Sequence, residues 1–108
     1  MSQPVTIKRG DRLPALTASV GFDLTGATVA FVLTPKARGA PAKVNAAAVV
    51  VSAPAGTVQY NWGATDTDTI GEYFGEFVAT FAGGQRSYPQ AGYLDIAVIP
   101  HLPRPALP

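Results

Sequence analysis

The residues with the most chemical potential lie close together in the second half of the chain. Asp66-Thr67-Asp68-Thr69 sets two carboxylates and two hydroxyls within four positions, the hard oxygen donors a divalent cation takes. The run lacks the remainder of a calcium loop, with no glycine at its middle and no glutamate at its far end. Asp and Thr also accept from and donate to neighbouring backbone groups in turns and caps, and that structural role is the favoured reading. Glu72 and Glu76 stand two strand periods apart, so an extended chain puts both on one face like an acid–base pair. Outward glutamates on a strand are far more often solubilising residues, and nothing nearby completes a catalytic set. The chain has no cysteine, no glycine-rich phosphate loop and one histidine, His101, which sits among prolines. Arg9-Gly10-Asp11 matches a cell-attachment triplet, but Gly followed by Asp reads first as a turn. No catalytic, cofactor-binding or metal-binding residue is expected, and the chain is not read as an enzyme.

The elements that must position these residues are strands. Residues 71–81 form the most sheet-like run, with Tyr73, Phe77, Ala79 and Phe81 on one face and Glu72, Glu76 and Thr80 on the other. Two glycines and the aromatic and β-branched content argue against a helix there. Val29, Phe31 and Leu33 alternate in a second strand, and Val58, Tyr60 and Trp62 in a third. Leu94, Ile96 and Val98 alternate in the last one. Val5-Thr6-Ile7-Lys8 and residues 12–20 read as early edge segments, the second because Pro14 cannot donate to a ladder. Residues 43–52 are expected to form one strand, apolar on both faces near its end. Ala82-Gly83-Gly84-Gln85 reads as a hairpin turn leading to a short returning strand at Arg86-Ser87-Tyr88-Pro89. Seven or eight short strands separated by turn signals, with no helix, describe an all-β, mostly antiparallel sandwich over residues 1–99. Residues 100–108 follow as an extended proline-rich tail.

Composition narrows the function. A chain of 108 residues makes one domain. With 47% hydrophobic and 14% charged residues, its surface carries few charges, as a surface partly covered by a partner does. A formal net charge of +1 with scattered Lys and Arg gives no basic stripe, which disfavours nucleic acid. No apolar run is long enough to span a bilayer, and Met1-Ser2-Gln3-Pro4 does not open a signal peptide, so synthesis and retention in a cytosol are expected.

The order of several short segments resembles a known family. Lys8-Arg9-Gly10-Asp11-Arg12-Leu13-Pro14, Asp23-Leu24-Thr25-Gly26-Ala27-Thr28-Val29-Ala30-Phe31, Gly56-Thr57-Val58-Gln59-Tyr60-Asn61-Trp62, Asp66-Thr67-Asp68-Thr69, Gly71-Glu72-Tyr73 and Glu76-Phe77 follow one another. This series is similar to the immunoglobulin-like N-terminal domain of phage baseplate upper proteins and related small tailed-phage structural proteins. Tyr73, at the head of the longest strand, is placed like the tyrosine-corner residue of immunoglobulin-like domains. The resemblance implies an immunoglobulin-like sandwich serving as a non-enzymatic structural subunit of a tailed-phage virion. The location would be a tail, baseplate or adaptor position, after synthesis in the bacterial host cytoplasm. Its partners would be other virion proteins and copies of itself, with no nucleic acid, membrane or cofactor. The expected contacts are terminal arms and one loop, through Val5, Lys36, Arg38, His101, Leu102, Arg104 and Leu107. Two alternatives stand beside this reading. One is a capsid decoration or cement protein; the other is a carbohydrate-binding module using Phe74 and Tyr93, which point away from the predicted core.

Overall fold

The computed structural model describes residues 4–37 and 39–102. Nine strands follow in order: β1 (Pro4–Lys8), β2 (Leu16–Ser19), β3 (Thr28–Pro35), β4 (Val44–Ala47), β5 (Val49–Ser52), β6 (Thr57–Tyr60), β7 (Gly71–Phe81), β8 (Gly84–Tyr88) and β9 (Leu94–Ile99). They build two sheets, and there is no helix among the described residues. The larger sheet runs β1-β9-β7-β3-β4, and the smaller runs β2-β6-β5. All pairings are antiparallel except β1 with β9, which are parallel from Pro4 opposite Asp95 to Lys8 opposite Ile99.

β7 is the hub of the larger sheet. Its eleven residues exceed the reach of any single partner on one side, so β9 covers Gly71 to Gly75 and β8 covers Phe77 to Phe81. β3 lines the other side from Pro35 opposite Tyr73 to Thr28 opposite Thr80. The alternation read from sequence holds in β3, β7 and β9, whose odd, odd and even residues respectively turn inward. The early segments are edges as expected: β1 closes one side of the larger sheet, and β2 one side of the smaller.

Residues 43–52 depart from the expected single strand, which raises the count to nine. β4 pairs with β3 in one sheet, and β5 pairs with β6 in the other. Ala48, between them, still donates its amide to the Val29 carbonyl at 2.8 Å before the chain crosses. The expected two-sided burial of the valines also fails, because β5 is the outermost strand of its sheet. Val49 and Val51 are 49% and 56% exposed, and only Val50 packs inward.

An aromatic group fills the space between the sheets. Phe31 stacks on Tyr60 at 4.7 Å between centroids, tilts against Phe77 at 5.0 Å and meets the edge of Trp62 at 6.0 Å. All four rings are buried, and each such contact adds about 0.5–1.5 kcal/mol to what area burial supplies. Trp62 lies just past the end of β6, where Arg12 Nε donates to its carbonyl oxygen at 3.0 Å.

The loop before β7 is a web of side-chain-to-backbone bonds, the structural role expected of its Asp and Thr residues. Asp66 accepts from the Tyr60 hydroxyl and from the Gly63 amide, and Thr67, fully buried, donates to the Asp11 carbonyl at 2.9 Å. The Tyr73 hydroxyl donates back to the Thr69 carbonyl at 2.7 Å, four residues upstream. Arg9-Gly10-Asp11 is a turn, closed by the Asp11 amide on the Lys8 carbonyl and by the Gly10 amide on the Thr67 carbonyl.

Candidate functional site

The outer face of the larger sheet carries the chain's most differentiated cluster. Even-numbered residues of β7 point out of the sheet, so Glu72, Phe74 and Glu76 emerge in sequence along one line. The register sets Thr34 of β3 and Asp95 of β9 on either side of Phe74, and Val32 of β3 beside Glu76. Pro35 ends β3, and the Lys36 amide bonds the Glu72 carbonyl at 3.0 Å, which turns the lysine back over the sheet. Its ammonium donates to Asp95 Oδ1 at 2.9 Å, lies 3.6 Å from Glu72 Oε1 and stands 5.0 Å from the centre of the Phe74 ring. The hydrogen bond to Asp95 holds the Lys36 ammonium above its ordinary pKa, aided by the two carboxylate charges and opposed by desolvation.

Tyr93, the residue before β9, leans on Phe74 with centroids 4.8 Å apart and planes 37° from parallel. The two rings are 37% and 48% exposed. With Val32, Thr34, Gly75 and Glu76 they line a shallow hollow of about 300 Å³. It lies where β7 changes partners, between Gly75 opposite Leu94 and Phe77 opposite Tyr88. A neighbouring hollow of about 230 Å³ holds the charges, Lys36, Glu72 and Asp95, beside Val5 and Thr6.

A second feature is an edge. From Val44 to Ser52, β4 and β5 form a nine-residue margin that passes from one sheet to the other with no charged residue and no proline. Asn45, Ala46, Ala47, Val49 and Val51 are exposed along it. Sheet edges are ordinarily blunted by charge, proline or cover, and this one has neither charge nor proline.

Of the residues expected to contact partners, only Lys36 falls in the aromatic cluster. Val5 is not on a free arm: it sits in β1 opposite Ile96 and packs half-buried against the core. His101 and the exposed Leu102 follow the last strand, with His101 Nδ1 2.6 Å from the Leu102 carbonyl oxygen. Arg38, Arg104 and Leu107 lie outside the described residues. Glu72 and Glu76 do share a face, but Glu72 faces Lys36 while Glu76 lines the aromatic hollow. Asp68 is committed elsewhere, accepting from Lys43 Nζ at 2.8 Å and from the Thr69 hydroxyl at 2.9 Å. Among the described residues, no three His, Cys, Asp or Glu side chains converge on a point. The β4–β5 edge does not show in a single strand over residues 43–52, although the absence of charge from Val44 to Ser52 is a signal the sequence carries. No protein-family model matches the chain, and no curated protein matches it significantly.

Proposed function

We propose that this chain is a non-enzymatic structural subunit of a tailed-phage virion, an immunoglobulin-like sandwich that assembles through its sheet margins. The observation that carries assembly is the β4–β5 edge, whose open backbone and exposed valines suit strand addition by a neighbouring subunit. The immunoglobulin-like reading is supported by strand order. β9-β7-β3-β4 follows the G-F-C-C′ arrangement, and β2-β6-β5 follows B-E-D. The Tyr73 hydroxyl bonded back to Thr69 at the head of β7 matches the tyrosine corner in position and partner. Two departures mark this chain: β8 is inserted between the strands corresponding to F and G, and Phe31 occupies the C-strand core where antibody domains carry tryptophan. The partners are copies of itself and other virion proteins, and a head-decorating position fits the same surface as a tail position.

Light scattering on the full chain, on Val51→Lys and on a chain truncated after Ile99 tests this reading. A defined oligomer is expected for the full chain and a folded monomer for Val51→Lys, because a lysine on an edge opposes strand addition without touching the core. Loss of the oligomer on truncation alone would move the contact to the tail. A full chain that stays monomeric at high concentration refutes self-assembly through this edge.

A further inference from the structure

We infer that the Phe74–Tyr93 hollow is a binding site for a neutral pyranose sugar, presented by a terminal or side-chain residue of a polysaccharide. The inference does not depend on the assembly reading, since no residue of β4 or β5 lines the hollow.

Three observations carry it. The first is the pair of exposed rings. Aromatic faces are electron-rich, and the axial C–H groups of a pyranose are weakly positive, so the two stack with the sugar's hydroxyls left at the rim. The second is that the platform is held before any ligand arrives. Phe74 packs against Tyr93 and lies within reach of the Lys36 ammonium, which is itself anchored on Asp95. A ring fixed by its neighbours loses little further freedom on binding. The third is size and chemistry. About 300 Å³ is the lower end of ligand-pocket volumes, room for one ring. The Thr34 hydroxyl and the Glu76 carboxylate line the same hollow and provide a donor and acceptors for sugar hydroxyls.

The charge around the hollow sets the ligand class. The Lys36 ammonium is engaged with Asp95 and Glu72, and Glu76 lines the hollow itself. An acidic sugar would be repelled by the Glu76 carboxylate in the hollow, whereas a neutral one would not. A protein partner fits less well. Among the described residues, none of the other large exposed apolar side chains, at Leu13, Val49, Val51, Ile70 and Leu102, lines this hollow, so the described patch does not extend to the area a stable protein interface needs.

The test is a two-dimensional amide NMR titration of the labelled full chain with methyl glucopyranoside, methyl galactopyranoside and N-acetylglucosamine, and with glucuronate as the acidic comparison. At least one neutral sugar should shift the amides of Phe74, Gly75, Glu76 and Tyr93, with an affinity on the order of millimolar. Phe74→Ala and Tyr93→Ala should each weaken that binding by about two- to tenfold. Both rings are partly exposed, so each variant stays folded, which the retained amide spectrum checks. Silence at these amides with all three neutral sugars overturns the proposal. So does binding that survives both alanine variants, and glucuronate binding as tight as the neutral sugars overturns the ligand class.

Discussion

Substituting alanine for Gly75 should destabilise the fold through one identifiable contact. Gly75 faces inward at the middle of β7, between Leu33 of β3 and Leu94 of β9. A Cβ added there would stand 2.6 Å from Ile96 Cδ1 and 3.2 and 3.3 Å from two atoms of the Phe31 ring. Carbon atoms pack best at about 3.5–4.0 Å, so all three contacts are too close. Ile96 and Phe31 are both buried in the core, so any shift must be taken up by their packed neighbours. Overpacking of this kind costs about 1–3 kcal/mol. Against it stands the lower unfolded-state entropy of alanine, about 0.5–1 kcal/mol in its favour. The net expectation is a loss of about 1–2 kcal/mol. With a urea dependence of about 1–3 kcal/mol per molar, the unfolding midpoint falls by roughly 1 M. Trp62, the single tryptophan and buried in the core, reports the transition by fluorescence. Because the nearest atom is Ile96 Cδ1, Ile96→Val removes the worst contact while costing about 0.5–1.5 kcal/mol on its own. The double variant should therefore be more stable than the sum of the single losses by about 1 kcal/mol. Additive losses, or a higher midpoint for Gly75→Ala alone, would refute this account of the core.

Two further perturbations address the loop before β7. Tyr73→Phe deletes the bond to the Thr69 carbonyl and should cost about 1 kcal/mol, read as a lower urea midpoint with β7 intact by circular dichroism; an unchanged midpoint would remove this tyrosine's role as a corner lock. Asp68 is held below the ordinary carboxylate pKa first by its hydrogen bond from Lys43 and then by that from Thr69. A depressed folded-state pKa gives stability that is complete above the unfolded value near 4 and is lost as pH falls through the folded one. Thermal scans from about pH 5 toward pH 2 should show a shallower decline for Asp68→Asn than for the parent, and high salt should narrow the gap because the pair is exposed.

The parts of this fold that could be read from sequence are those where polar and apolar residues contrast. Alternation in β3, β7 and β9 fixed their inward faces because each pairs large apolar residues with Thr, Glu or Asp. The same logic put Phe74 outside the core. It failed at residues 44–48, where alanines offer no contrast between faces and a change of sheet leaves no mark in the pattern. Trp62 was placed inward correctly although its strand ends at Tyr60, since burial there comes from the loop folding under the aromatic group. The candidate site was half legible. Two outward aromatics were visible, but their contact needs the β8-to-β9 loop to deliver Tyr93 beside Phe74, a long-range event. From sequence, Lys36 is expected only as a contact on a loop, because nothing local tells that Pro35 turns it back over β7.

The parallel pairing of β1 with β9 has a mechanical meaning. Pro4 lies beside Asp95 while Lys8 lies beside Ile99, so chain entering β1 and chain leaving β9 depart from opposite ends of the same ribbon. A pull applied through those two points acts along the strands and tries to slide one past the other. In that direction the five paired positions resist together, whereas a pull across the strands would open them one at a time. The β1–β9 pairing is therefore placed to resist extension along the strand axis.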